Sequence, residues 1–223
     1  KMSKSLGNVV DPMELADLFG VDALRYFLLR EVSFGQDGSY SPEAIVTRVN
    51  ADLANSFGNL AQRTLSLIFK NCDGYLPAIR GHHDDDSALL ETVANAVSVQ
   101  MPAHFEDLAM SQALESWMQA VFACNAYIDV QAPWALKKTD PERMETVLAT
   151  LFICIAQLAI AALPVIPSSA TKLLDQMGIP TDVRNFERLG SHWYSPLAES
   201  HFQIAQPQGL FPRLELPAEE NAA

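Results

Sequence analysis

Helix signals recur along this chain from end to end, in the spacing of apolar positions and in the capping residues that bracket them. Asp11-Pro12-Met13-Glu14 offers an N-cap residue, Pro at the first helical position and Glu at the third, ahead of an apolar run that stops at Gly20. Asp22 is expected to cap a second helix through Leu24, Phe27 and Leu28 to about Glu31. Val32–Tyr40, with Gly35 and Gly38, reads as a turn or a short strand pair. Ser41-Pro42-Glu43 then opens a helix with no breaker before Asn71-Cys72-Asp73-Gly74, and Gly58 is its one weak interior point. At ~1.5 Å per residue such a helix spans about 45 Å. Leu53, Phe57, Leu60, Thr64, Leu67 and Ile68 fall on one arc of it, whereas Asn55, Asn59 and Arg63 share a face outside that arc.

Beyond a polar loop at Gly81–Asp86, helices are expected near 87–101 and 108–130, the second broken by Gln131-Ala132-Pro133-Trp134. Asp140-Pro141-Glu142 opens another, running to Leu163. Its stretch Val147–Leu163 is apolar almost all round. It is shorter than the ~20 residues of a comfortable membrane span and contains Thr150 and Gln157, so it reads as a central bundle helix. Ser168 and Ser169 are expected to cap a last helix ending at Gly178, and the tail from Thr181 packs as extended chain. The fold class is mostly α, a helix bundle with a smaller mixed region ahead of it, with boundaries near residues 40 and 180.

Composition narrows the class. The 223 residues are 49% hydrophobic and 19% charged, which excludes a disordered chain and allows one large domain or two small ones. Three cysteines, at 72, 124 and 154, are too few and too far apart for a disulfide framework or a metal-ligand spacing. No N-terminal signal peptide is present, so a reducing, cytoplasmic setting is expected. The formal net charge of −12 argues against non-specific binding to nucleic acid or membrane. The acid is uneven, however: residues 1–80 carry 8 Lys/Arg against 9 Asp/Glu, and residues 81–223 carry 7 against 18. Anion-binding chemistry is therefore expected in the first half, and a solvated acidic surface in the second.

Lys1 and Lys4 bracket Ser3 on a small-residue loop just before a capped helix, an arrangement able to hold a polyphosphate. Taken alone, such a loop reads better as a solvated basic turn. His82-His83-Asp84-Asp85-Asp86 reads as an exposed acidic loop, since adjacent residues seldom converge on one ion, and no metal site is expected. His104, His192 and His201 form no pattern, and Trp117 and Trp193 read as packing aromatics.

The whole string Lys1-Met2-Ser3-Lys4-Ser5-Leu6-Gly7-Asn8-Val9-Val10-Asp11-Pro12 resembles the signature loop of class I aminoacyl-tRNA synthetases. Asp22–Glu31, Phe34–Gly38, Asn59–Arg63, Gln131-Ala132-Pro133-Trp134 and Leu210-Phe211-Pro212-Arg213 are similar to the methionyl-tRNA synthetase pattern within that class. The resemblance covers nearly the whole chain, most weakly over 75–110 and 178–208. It implies methionine–tRNA ligation with ATP and magnesium. Lys1, Met2, Ser3, Lys4 and Ser5 would form the mobile ATP loop. In that loop Lys1 and Lys4 would be the catalytic side chains, stabilising charge on the phosphates as pyrophosphate leaves. Residues 6–40 would contact the tRNA stem, residues 41–180 would be the anticodon-binding bundle, and residues 181–223 a tail packing back on it.

The family's anticodon readers correspond to Asn59, Arg63 and Trp134. Splayed anticodon bases suit a stacking indole flanked by amide and guanidinium donors. Without the resemblance, the residues favour a core anchor for Trp134 and a plain polar helix face for Asn59 and Arg63. Asn55 shares that face one turn earlier. The start at Lys1 suggests a fragment without the nucleotide-binding half, so the isolated chain is expected not to form the adenylate. Zinc, where family members carry it, would belong upstream of Lys1. With no appended dimerisation domain, a monomer is expected, and the alternative to a ligase fragment is a stand-alone helical tRNA-binding module.

Overall fold

The computed structural model describes residues 10–32, 35, 36, 40–190 and 202–216. Asp11 caps α1 (Pro12–Phe19) by accepting the Met13 N–H at 2.8 Å. Gly20, at φ 87°, turns the chain into α2 (Val21–Glu31). Residues 33, 34 and 37–39 of the expected turn or strand pair lie outside the description, and no strand occurs among the described residues; the single β-bridge joins Tyr75 to Gln203. Ser41 caps α3 (Pro42–Val49), which runs without a break through a π-helical stretch, Asn50–Gly58, into α4 (Asn59–Asn71).

A second unbroken run comprises α5 (Asp84–Asn95), a π turn Ala96–Gln100 and α6 (Met101–Glu106). It begins earlier and ends later than the apolar spacing indicated. Pro102 lacks an N–H, and its ring clashes with the carbonyl four residues back in a regular helix, so the turn before it widens. The bundle is completed by α7 (Met110–Gln131), α8 (Pro133–Thr139), α9 (Pro141–Ala162) and α10 (Pro167–Gln176).

Helix α9 is the axis of the core. Every residue from Thr146 to Ala162 is buried, and α4, α5, α7, α8 and α10 all pack on it. It is long and apolar enough to cross a membrane, but 94% of its most apolar window is covered by the other helices. Its interior polar groups have partners: the Thr150 hydroxyl donates to Thr146 O at 2.9 Å, and Gln157 Oε1 accepts the Gly190 N–H at 3.0 Å. Trp117 of α7 donates its indole N–H to Leu158 O at 2.9 Å and meets Phe57 edge-on at 4.8 Å, so Trp117 is the core anchor.

Three sequence-based expectations are corrected. Asp22 does not cap its own helix. Its carboxylate accepts the Ser169 N–H at 2.6 Å and the Ser168 N–H at 3.4 Å, capping α10 from 146 and 147 residues away. Pro167 occupies the first turn of α10, which puts both serines inside the helix rather than at its cap. The expected exposed loop at 81–86 is also revised, because Asp84–Asp86 form the first turn of α5 and Asp86 is wholly buried.

The α1–α2 hairpin is joined to the bundle by a second buried acid, Asp52. It accepts the Tyr26 hydroxyl at 2.8 Å and lies 3.8 Å from both Arg30 and Arg48. The tail over 202–216 is extended and held by side-chain amides that imitate a strand partner. Asn50 exchanges two hydrogen bonds with Leu214, both at 2.9 Å, and Gln176 does the same with Gln208 at 2.9 and 3.3 Å. The tail delivers Phe211 onto Gly58. A methyl group there would lie 2.9 Å from the Leu53 carbonyl oxygen and 2.9 Å from the Phe211 ring. The Gly58→Ala variant should therefore lose about 1–3 kcal/mol of stability, as overpacked cores do. A lower urea midpoint with unchanged slope would register the loss.

Candidate nucleic-acid interface

The π-helical stretch and α4 bury Leu53, Phe57, Leu60, Thr64 and Ile68 and turn Asn55 and Asn59 to solvent. Arg63 lies one turn beyond Asn59. Across from it, α7 ends at Gln131, Ala132 takes a left-handed conformation (φ 44°, ψ 59°), and Pro133 starts α8. Proline disfavours the helical conformation in the residue before it, so the chain must turn at Ala132. The corner buries Pro133 and leaves Trp134 48% exposed, which answers the core-anchor reading of that tryptophan.

Residues 71 positions apart thus meet on the surface: the Arg63 guanidinium carbon sits 5.3 Å from the centre of the Trp134 ring. The same guanidinium donates to Asp129 at 2.8 Å. A neighbouring cleft of about 460 Å³ is lined by Asn55, Gly58, Asn59 and Gln62 on one side and by Gly209–Phe211 of the tail on the other. The surface therefore offers a π face, a planar donor fork and exposed amides side by side, the groups that take up unpaired bases by stacking and edge hydrogen bonding.

Beneath the corner lies a buried polar cluster. Both oxygens of Asp86 pair with Arg143, at 2.5 and 2.7 Å. The Tyr127 hydroxyl donates to the same carboxylate, as does the His83 N–H at 2.9 Å. Arg143 also donates to Gln131 Oε1 at 2.8 Å, and Gln131 Nε2 donates to Asp85 at 3.2 Å. Burial alone would raise the Asp86 carboxyl, but the hydrogen bonds from Arg143, Tyr127 and His83 outweigh it and hold the group at about 2. Burial and the adjoining carboxylate push the Tyr127 phenol up.

Among the sequence-predicted site residues, Arg63 and Trp134 are in contact, and Asn59 borders the cleft beside them. Lys1, Met2, Ser3, Lys4 and Ser5 lie outside the described residues, as do His192, Trp193 and His201. Sequence reasoning missed Asp129, the side-chain role of Gln131, and the tail's wall of the cleft. Leu210–Arg213 stood out as a motif but carried no assigned role. Nothing local to Asp129 marks a partner 66 residues away.

Comparison with known proteins matches two family models along the chain. Residues 1–65 match the family model for class I tRNA synthetases (M), and residues 76–221 match the anticodon-binding domain of methionyl tRNA ligase. The class these matches define is the class I aminoacyl-tRNA synthetases. The methionine–tRNA ligase of Rhizobium meliloti is 48% identical over 217 residues, covering 97% of this chain and 41% of that protein. That of Brucella suis is 48% identical over 221 residues, covering 99% and 42%. The structure of Mycobacterium tuberculosis methionyl-tRNA synthetase in complex with methionyl-adenylate superposes with a TM-score of 0.84 at 44% identity, covering 96% of this chain and 42% of that one. The chain belongs to the methionyl-tRNA synthetase family, and it spans about two fifths of the length of these relatives.

Two outcomes follow from the geometry. Asp86 ionises more readily in the fold than its ordinary value of 3.8, so its charged form stabilises the protein by about 2 kcal/mol at neutral pH. That contribution is complete above 3.8 and is lost as the pH falls toward 2. Urea midpoints measured across this window should fall further for the wild type than for Asp86→Asn. By contrast, the Arg63–Asp129 pair is solvent-exposed on the Asp129 side, and Asp129→Ala should change stability by less than about 1 kcal/mol in thermal melts.

Proposed function

We propose that the protein to which this chain contributes attaches methionine to its tRNA at the expense of ATP, and that the bundle described here reads the anticodon. The observation that carries this reading is the half-exposed Trp134 with Arg63 over its ring, Arg63 standing on the helix whose Asn59 and Gln62 line an amide-bearing cleft. In this assignment an unpaired base stacks on the Trp134 indole, while Arg63 and Asn59 supply donors and acceptors to base edges and backbone. Asn55 borders the same cleft and extends the polar surface.

The loop Lys1–Ser5 is assigned to ATP, with magnesium, on the strength of its sequence and of the family model matched over 1–65. Lys1 and Lys4 act there by electrostatic stabilisation of phosphate charge, and no covalent step on the protein is required. The 223 residues contain no His-Ile-Gly-His element, and adenylate formation is accordingly assigned to the whole protein. The three described cysteines are all free thiols, which fits a reducing, cytoplasmic setting.

The test is direct titration of this chain with an anticodon stem-loop carrying CAU. Removing a stacking aromatic costs about 1–3 kcal/mol per base, so Trp134→Ala should weaken binding by about fivefold to 150-fold on this scale. Arg63→Ala should weaken it as well, and replacing the CAU anticodon should abolish the difference between wild type and variants. Unchanged affinity in both variants would sink the assignment.

A further inference from the structure

The chain enters α8, which carries the exposed Trp134, through Ala132 in a left-handed backbone conformation that an L side chain resists. Pro133 disfavours the ordinary helical alternative for Ala132, but it leaves extended conformations open, and these would aim the indole elsewhere. Something must select the left-handed state. The residue before it is held at both ends of its side chain: Gln131 Oε1 accepts from Arg143 at 2.8 Å, and Gln131 Nε2 donates to Asp85 at 3.2 Å. Arg143 is itself fixed by both oxygens of the buried Asp86. An amide satisfied on both sides by α9 and α5 anchors the last turn of α7 against two other helices.

From this geometry we propose that Gln131 is a positioning residue for base recognition: it locks the 131–134 corner and so sets the plane that Trp134 presents. The proposal rests on the reading of Trp134 as a stacking residue. It extends that reading inward, to a side chain that touches no RNA. Two residues earlier on the same turn, Asp129 holds Arg63 over the other edge of the site. The end of α7 thus orients both members of the stacked pair, Asp129 from the outside and Gln131 from the inside.

Gln131→Met tests it, because the substitution keeps the length of the side chain and removes both hydrogen bonds while the Asp86–Arg143 pair remains. In protein labelled with fluorotryptophan, the fluorine resonance of Trp134, identified by its loss in Trp134→Phe, should shift in Gln131→Met while that of the buried Trp117 stays in place. Affinity for the CAU stem-loop should fall about tenfold, in keeping with the sensitivity of recognition to small misplacements. Adding Ala132→Gly, which removes the side-chain objection to the left-handed state, should restore part of the loss. A Trp134 resonance that does not move, or unchanged affinity in Gln131→Met when Trp134→Ala binds weakly, would overturn the proposal. If Trp134→Ala itself binds normally, the anticodon reading fails, and the fluorine resonance alone then decides whether Gln131 sets the ring.

Discussion

The bundle is organised around one buried ion pair. Asp86 and Arg143 meet through two parallel hydrogen bonds, and Tyr127 and the His83 backbone fill the remaining acceptor sites of the carboxylate. The pair therefore joins the first turn of α5, the C-terminal half of α7 and the first turn of α9. A buried pair of this kind adds little net stability over an apolar substitute, because desolvating two charges offsets most of their attraction. What it provides is register. An apolar α9 buried on all sides could slide or rotate among its neighbours at small cost, whereas a bidentate pair with every lone pair satisfied admits one alignment.

That alignment is transmitted to the surface. Arg143 continues to Gln131, Gln131 to the turn at Ala132, and the turn to Trp134. At the cleft the tail acts in a similar way. Asn50 and Gln176 present their amides as if they were strand backbone, and the clamped chain places Phe211 on Gly58 beside Asn55 and Asn59. The absence of a side chain at Gly58 admits both the π-helical carbonyl of Leu53 and the aromatic ring. The tail wall of the cleft is thus fixed by amides that do not line it.

Local signals were legible and long-range ones were not. Asp11, Ser41 and Asp140 cap the helices that the spacing of apolar residues predicts, since a cap acts within three residues. The burial of α9 was equally readable, because an all-round apolar stretch has no solvent face to offer. Asp22 and Asp86 were misread for one shared reason. Each looks like a surface carboxylate at a helix start, and each is spent on a partner far along the chain, α10 for Asp22 and Arg143 for Asp86. The π-helical stretches were invisible because the apolar arc barely changes when a helix widens, and only Pro102 hints at one of them. The candidate site became legible through its motifs, Asn59–Arg63 and Gln131–Trp134, and the contact between them required the fold.

The acidity of the chain bears on how such a site can work. Arg63 is already neutralised by Asp129 at 2.8 Å, so under the proposed reading it brings no free cation to draw in a polyanion from a distance. Affinity from phosphate neutralisation depends steeply on salt and ignores sequence. Affinity from a base laid on an indole requires that the base be unpaired and unstacked from its neighbours. A net charge of −12 suppresses the first kind of binding and leaves the second intact. Under the proposed reading the acidic surface and the exposed Trp134 ring act together, since the repulsion that discourages duplex and non-specific RNA makes the fit of a splayed loop the term that decides binding.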